Sequence, residues 1–168
     1  MNTLNITNIL FKPPTFNKKG WVWSPEKLRL IREVEWVCPI SINGTWVAKD
    51  GYLQISDNTW TFKNGYQWNG ATGVPSGQPD TTVDLPVISL TDKPVPKLWF
   101  ATLIHDAGCS ATDDPTFPFK RYMVDIFFYG ESKVANFEWS LLYYYGVRIF
   151  GTPLNYLTRM WYRIKKSF

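Results

Sequence analysis

His105 is the sole histidine of the chain, and Asp106 follows it directly. Cys109 stands one helical turn further on, and Arg121 and Asp125 are spaced by four, as neighbours on one helix face are. Histidine changes charge near neutral pH and serves as base, acid or ligand. A carboxylate within reach fixes its tautomer and raises its basicity. His105, Asp106 and Asp125 are therefore the candidate catalytic residues. Each also has a plain structural reading. His105 can tie a core helix to a neighbouring carbonyl. Arg121 and Asp125 can form an intrahelical ion pair worth about 0.3–0.5 kcal/mol. Cys109 can be an inert thiol rather than the nucleophile of a Cys/His pair. One histidine with a few carboxylates is a thin set for zinc, and no calcium or magnesium loop pattern is present. No metal site and no cofactor is expected, with a divalent ion left open.

The element that positions His105 is an apolar helix pattern over 96–108. Leu98, Ala101, Thr102 and His105 share one stripe, with Trp99, Leu103 and Asp106 beside it. Such a helix is buried on most of its circumference, so its two titratable groups need partners. Helices over 119–130, 133–149 and 152–166 are expected to follow. Upstream, Asn69-Gly70-Ala71-Thr72-Gly73-Val74-Pro75 leaves a strand, and its small residues let backbone amides approach a ligand or another helix. Asn69, Gly70 and Thr72 are candidates for binding or for a polar network; the plain reading is a tight turn.

Residues 1–30 read as an irregular arm, with Glu26 to Leu30 as a short turn of helix after Ser24-Pro25. From Ile31 the period becomes two. Asn43-Gly44, Asp50-Gly51 and Asn64-Gly65 read as hairpin turns between short strands ending at Trp68, and Val83 to Leu90 as a short edge strand. The fold class is α+β in a single domain: an antiparallel β-meander of about four or five short strands, then about four helices. The organisation is arm 1–30, core 31–151 and a C-terminal helix 152–168.

The totals fit one domain. There are 168 residues, of which 45% are hydrophobic and 17% aromatic, enough for a core. The net charge of +4 is local. No acidic residue follows Glu138, and without Arg148, Arg159, Arg163, Lys165 and Lys166 there remain 13 basic against 14 acidic residues. No specific nucleic-acid partner follows from that distribution. The basic, amphipathic stretch 152–168 suits an anionic membrane, a partner, or the core. Two isolated cysteines are expected to be free thiols. Neither a signal peptide nor a transmembrane helix is visible.

Four motifs in order carry a resemblance: Trp68 to Pro75, Leu98 to Asp106, Arg121 to Phe128, and Tyr144-Tyr145-Gly146-Val147-Arg148-Ile149-Phe150-Gly151. Over roughly 65–151 the chain resembles a family of small phage, prophage and bacterial proteins known as domain of unknown function 1353. Its members show a "DGAS/T…P" loop, an "HD-x-L-Y" helix, an "R-x-x-x-D-x-x-F" helix and a "Y-x-x-V-R-x-F-G" ending. The resemblance adds Tyr144 and Arg148 to the polar network and implies a phage or prophage origin. Asn69 stands where the family commonly has aspartate, and Gly108-Cys109 where it has leucine and tyrosine. The expected function is a phage-encoded accessory protein in virion, morphogenesis or host interaction, with a mainly structural His/Asp/Asn cluster. Other phage or host proteins would be its partners, in the host bacterial cytoplasm or the virion. The alternative is a small hydrolase-like enzyme using His105 with Asp106 and Asp125; a weaker one is membrane-surface attachment through 152–168.

Overall fold

The computed structural model describes residues 16–17, 20–21, 27–70, 80, 82–91, 94–137 and 139–148. In chain order the strands are β1 Phe16–Asn17, β2 Gly20–Trp21, β3 Lys27–Leu30, β4 Val34–Val37, β5 Thr45–Val47, β6 Leu53–Ser56, β7 Thr59–Phe62, β8 Gln67–Asn69 and β9 Val87–Ser89. The helices are α1 Trp99–Ala111, α2 Arg121–Val134 and α3 over 140–148. Strands precede helices in an α+β domain with antiparallel sheets. The helix expected over 152–166 lies outside the described residues, and so does the membrane reading placed on it.

The pairing is more intertwined than a meander. β5, β6 and β7 are joined by consecutive turns, but β4 lies against β7, giving the order β4-β7-β6-β5. This is a Greek-key order, in which one strand crosses the sheet end to reach its neighbour. Asn43-Gly44 is therefore not a hairpin turn between β4 and β5. It lies in that crossing, where the Asp57 amide donates to the Gly44 carbonyl (3.2 Å) and the Ile42 amide to the Asp57 carbonyl (2.8 Å). Asn64-Gly65 does turn the chain, but into a different sheet. The Gly65 amide donates to the Leu30 carbonyl, and the Leu30 amide to the Tyr66 carbonyl, both at 3.0 Å. Gly65 holds φ +89°, a conformation glycine adopts without steric cost.

The second sheet has the order β8-β3-β9. Its central strand is Lys27–Leu30, which corrects the expected helical turn there. Lys27-Leu28-Arg29-Leu30 alternates polar and apolar, and Leu28 and Leu30 are fully buried between two flanking strands. The period of two overrides the proline signal before it. β9 is an edge strand within the stretch expected to hold one.

Every strand of the four-stranded sheet aims alternate residues at the helices. Trp36, Trp46, Leu53, Ile55, Trp60 and Phe62 are buried on that face. Trp60 meets Phe119 and Phe127 of the helical side at 5.4 and 6.0 Å between rings. Indole nitrogens stitch the layers. Trp36 Nε1 donates to Glu131 Oε1 (2.8 Å), Trp46 Nε1 to Thr116 Oγ1 (3.1 Å) and Trp68 Nε1 to Thr102 Oγ1 (3.0 Å).

The helix boundaries moved for local reasons. α1 begins at Trp99 because the Pro96 carbonyl accepts the Trp99 amide in a turn. α2 continues to Val134 and stops where Asn136 turns left-handed at φ 53°. α1 and α2 pack closely, and Gly108 is at their contact.

Candidate functional site

Asp125 is the centre of the site. It lies one turn after Arg121 on α2 and its side chain is fully buried. Burial alone would cost a carboxylate several kcal/mol, so it needs partners, and three side chains supply them. His105 Nε2 of α1 lies 3.0 Å from Oδ1, Arg121 Nε donates to the same oxygen at 3.2 Å, and Arg148 Nη1 of α3 donates to Oδ2 at 3.2 Å. Residues 20, 4 and 23 positions away thus meet on one carboxylate. The intrahelical pair and the contact with His105, weighed as alternatives from sequence, both exist.

The imidazole has three further neighbours. Asp106 Oδ1 lies 3.6 Å from Nδ1, a charge contact slightly longer than a hydrogen bond. Cys109 Sγ lies 3.5 Å from Nε2, and the Phe128 ring covers one side at 5.1 Å. Burial draws the His105 pKa down, but Asp106, Asp125 and Cys109 together outweigh it and hold it well above the usual histidine value. Burial pushes the Asp125 carboxyl up, yet His105 and the two arginines prevail and hold it below the ordinary carboxylate range. For Asp106 the balance is opposite. Burial raises it, against the lowering effects of His105, Arg121 and a hydrogen bond from the Asn69 backbone amide. The two carboxylates that flank the imidazole are thereby pushed apart, the pattern from which acid and base roles are built.

One side of this knot faces a cleft of about 530 Å³ between β3, β8, α1 and the start of α2. Lys27, Gln67, Asn69, Asp106, Cys109 and Arg121 are among the residues that line its walls. His105 lines the cleft although its residue exposure is only 9%. Asp125 does not reach it. The site is thus two-layered: an accessible rim with Asp106 and Cys109, and a sealed base with Asp125.

His105, Asp106, Asp125, Arg121 and Arg148 meet directly, and Asn69 joins them through its amide. Gly70 is buried just beyond β8. Thr72 lies outside the described residues. Tyr144 packs its ring against Tyr129 and Tyr145, both at 5.5 Å, on the side of α3 that meets α2. Cys38 and Cys109 are free thiols, as two isolated cysteines suggest. Sequence reasoning missed Lys27 and Tyr66 in the cleft wall. The strand alternation at 27–30 was the available signal for the first. Tyr66 stacks on Trp68, 6.1 Å between rings, and burial raises its pKa far above the usual phenol value. Thr102, buried on the His105 stripe, is an acceptor for Trp68 and a donor to the Trp99 carbonyl at 2.9 Å. Among the described residues, no helix is long and apolar enough to cross a membrane.

Compared with protein-family models, with curated proteins and with solved structures, the chain matches none.

Proposed function

We propose that this chain is a phage-encoded accessory protein that works by binding, in the virion, in morphogenesis or on a host protein, and that its His105/Asp125 knot is mainly structural. The observation that supports this reading most is the state of Asp125. Both its oxygens are engaged by His105, Arg121 and Arg148, and none of its surface is open. A carboxylate so committed links α1, α2 and α3 and holds the cleft wall in place. Buried charges with a full set of partners specify geometry, and removing one partner is costly because the rest are left uncompensated. The phage origin rests on the four-motif resemblance to domain of unknown function 1353, and the partners on the same ground are other phage or host proteins in the host cytoplasm or virion.

The test compares stability with biological function. His105→Ala is expected to lower the unfolding temperature and the biological function together. An unchanged unfolding temperature with function lost would remove the structural reading.

A second reading, a small hydrolase-like enzyme, is favoured by one observation: His105, Asp106 and Cys109 reach the same cleft. His105 would act as the acid–base group, Asp106 would face its Nδ1, and Asp125 would fix the ring from below. Turnover of any ester, amide or phosphoester substrate that is abolished by Asp106→Asn in a folded protein would establish it.

A further inference from the structure

The His105–Cys109–Asp125 group has a property that a hydrogen-bonded knot does not require. Three donor atoms of three kinds, an imidazole nitrogen, a thiol sulfur and a carboxylate oxygen, all lie within 4.8 Å of one another. Two come from one helix face, four residues apart, and the third from the helix packed against it. We infer that these three side chains form a binding site for a single zinc-class divalent ion, with its fourth position open to the cleft.

Distance supports this first. Tetrahedral zinc, with bonds of about 2.0 Å to nitrogen and 2.3 Å to sulfur, holds those two donors roughly 3.6 Å apart. Nε2 and Sγ are 3.5 Å apart. For the same geometry Nε2 and Asp125 Oδ1, at 3.0 Å, part by about 0.3 Å, and Sγ and the carboxylate oxygen, within 4.8 Å of each other, come to about 3.5 Å.

The surroundings support it next. A histidine that ligates a metal usually turns its other ring nitrogen to a carboxylate, which orients the ring and strengthens it as a donor. Asp106 stands at Nδ1, and is itself held by the Asn69 amide. Arg148 fixes Asp125 through Oδ2, leaving Oδ1 to face His105. Arg121 also reaches Oδ1, and a carboxylate oxygen has lone pairs for both a guanidinium and a metal.

Two arginines sit beside the site, and each is already paired with Asp125: Arg121 Nε with Oδ1 and Arg148 Nη1 with Oδ2, both at 3.2 Å. Asp106 adds a second carboxylate beside the imidazole. Sulfur and imidazole together select zinc or cobalt over magnesium or calcium. Asp125 forms the sealed floor, and His105 and Cys109 line the cleft above it. Three protein ligands with an open position are the arrangement of an exchangeable rather than a closed site. This site stands apart from the accessory or hydrolase readings, because it is measured by metal content and spectrum.

The test uses the full chain, stripped with a chelator and titrated with Co²⁺ and then Zn²⁺. The expected result is one ion per chain, a thiolate-to-cobalt charge-transfer band in the near ultraviolet, and loss of that band as zinc displaces cobalt. Cys109→Ala, at a partly exposed position, should abolish the band while the circular dichroism stays native. Asp106→Asn should weaken zinc binding by about 10- to 100-fold. A folded wild-type protein with no charge-transfer band, or a band that persists in Cys109→Ala, overturns the inference. The wild-type titration decides the matter even if a variant fails to fold.

Discussion

Val124 occupies the space that a side chain at Gly108 would need. A Cβ built there falls 2.7 Å from Val124 Cγ1 and 3.0 Å from Cγ2, with Trp60 at 3.4 Å on another side. This close crossing of α1 and α2 is one turn from His105 and one residue from Asp125. Gly108→Ala gains about 1 kcal/mol of helix propensity, but a β-branched valine cannot swing away. Overpacking should prevail, for a net loss of about 1–2 kcal/mol in urea unfolding. Val124→Ala in the same chain should recover part of it, so that the two losses fail to add.

Asp125→Asn should be among the most damaging single changes in the helical half. It removes the charge that three cationic neighbours share, at a fully buried position. The expected loss is about 3–5 kcal/mol. Arg148→Ala should cost less, since that arginine is 39% exposed and Asp125 keeps both His105 and Arg121. Equal losses in denaturant unfolding would contradict the central place given to Asp125.

Stability should depend on pH through His105 and Asp125 in opposite senses. His105 has a raised pKa in the folded chain, so its contribution is complete below the unfolded value of about 6.5 and declines as pH rises through the folded value. Asp125 has a lowered pKa, so its contribution is complete above about 3.9 and is lost as pH falls through the folded value. Because His105 is the only histidine, unfolding free energies measured from pH 6 to 9 should decline in the wild type and flatten in His105→Gln.

Thr102→Val keeps the shape of a buried residue and removes the acceptor of Trp68 Nε1. The stranded indole nitrogen should cost about 1–3 kcal/mol. Trp68→Phe in the Thr102→Val background should restore part of that loss. Near-ultraviolet circular dichroism would show whether β8 still sits on α1.

The two thiols should differ in access. Cys38 is 1% exposed and burial raises its pKa, whereas Cys109 is partly exposed on the cleft. A thiol reagent should modify Cys109 in the native protein and Cys38 only on unfolding. Zinc at the inferred site should protect Cys109, and magnesium should not.

Much was legible in order alone. The period of two that sets in at Ile31 announced half-buried strands, and the stripe Leu98, Ala101, Thr102 and His105 announced a buried helix. These patterns are readable because one face of each element meets the core, and burial writes a period of two or of about 3.6 into neighbouring residues. The same logic made partners for His105 necessary, and the spacing of Arg121 and Asp125 put both on one face. Three things were decided only by the tertiary structure. β4 pairs with β7 and not β5, because hydrogen bonds between backbones carry no mark in side-chain types. Lys27–Leu30 is a central strand, since four residues are too few to outweigh a neighbouring proline signal without the strands on either side. And Cys109 joins His105 and Asp125, because α1 and α2 cross at Gly108. Distance across such a crossing depends on the space left by a missing side chain, which no periodicity within either helix records.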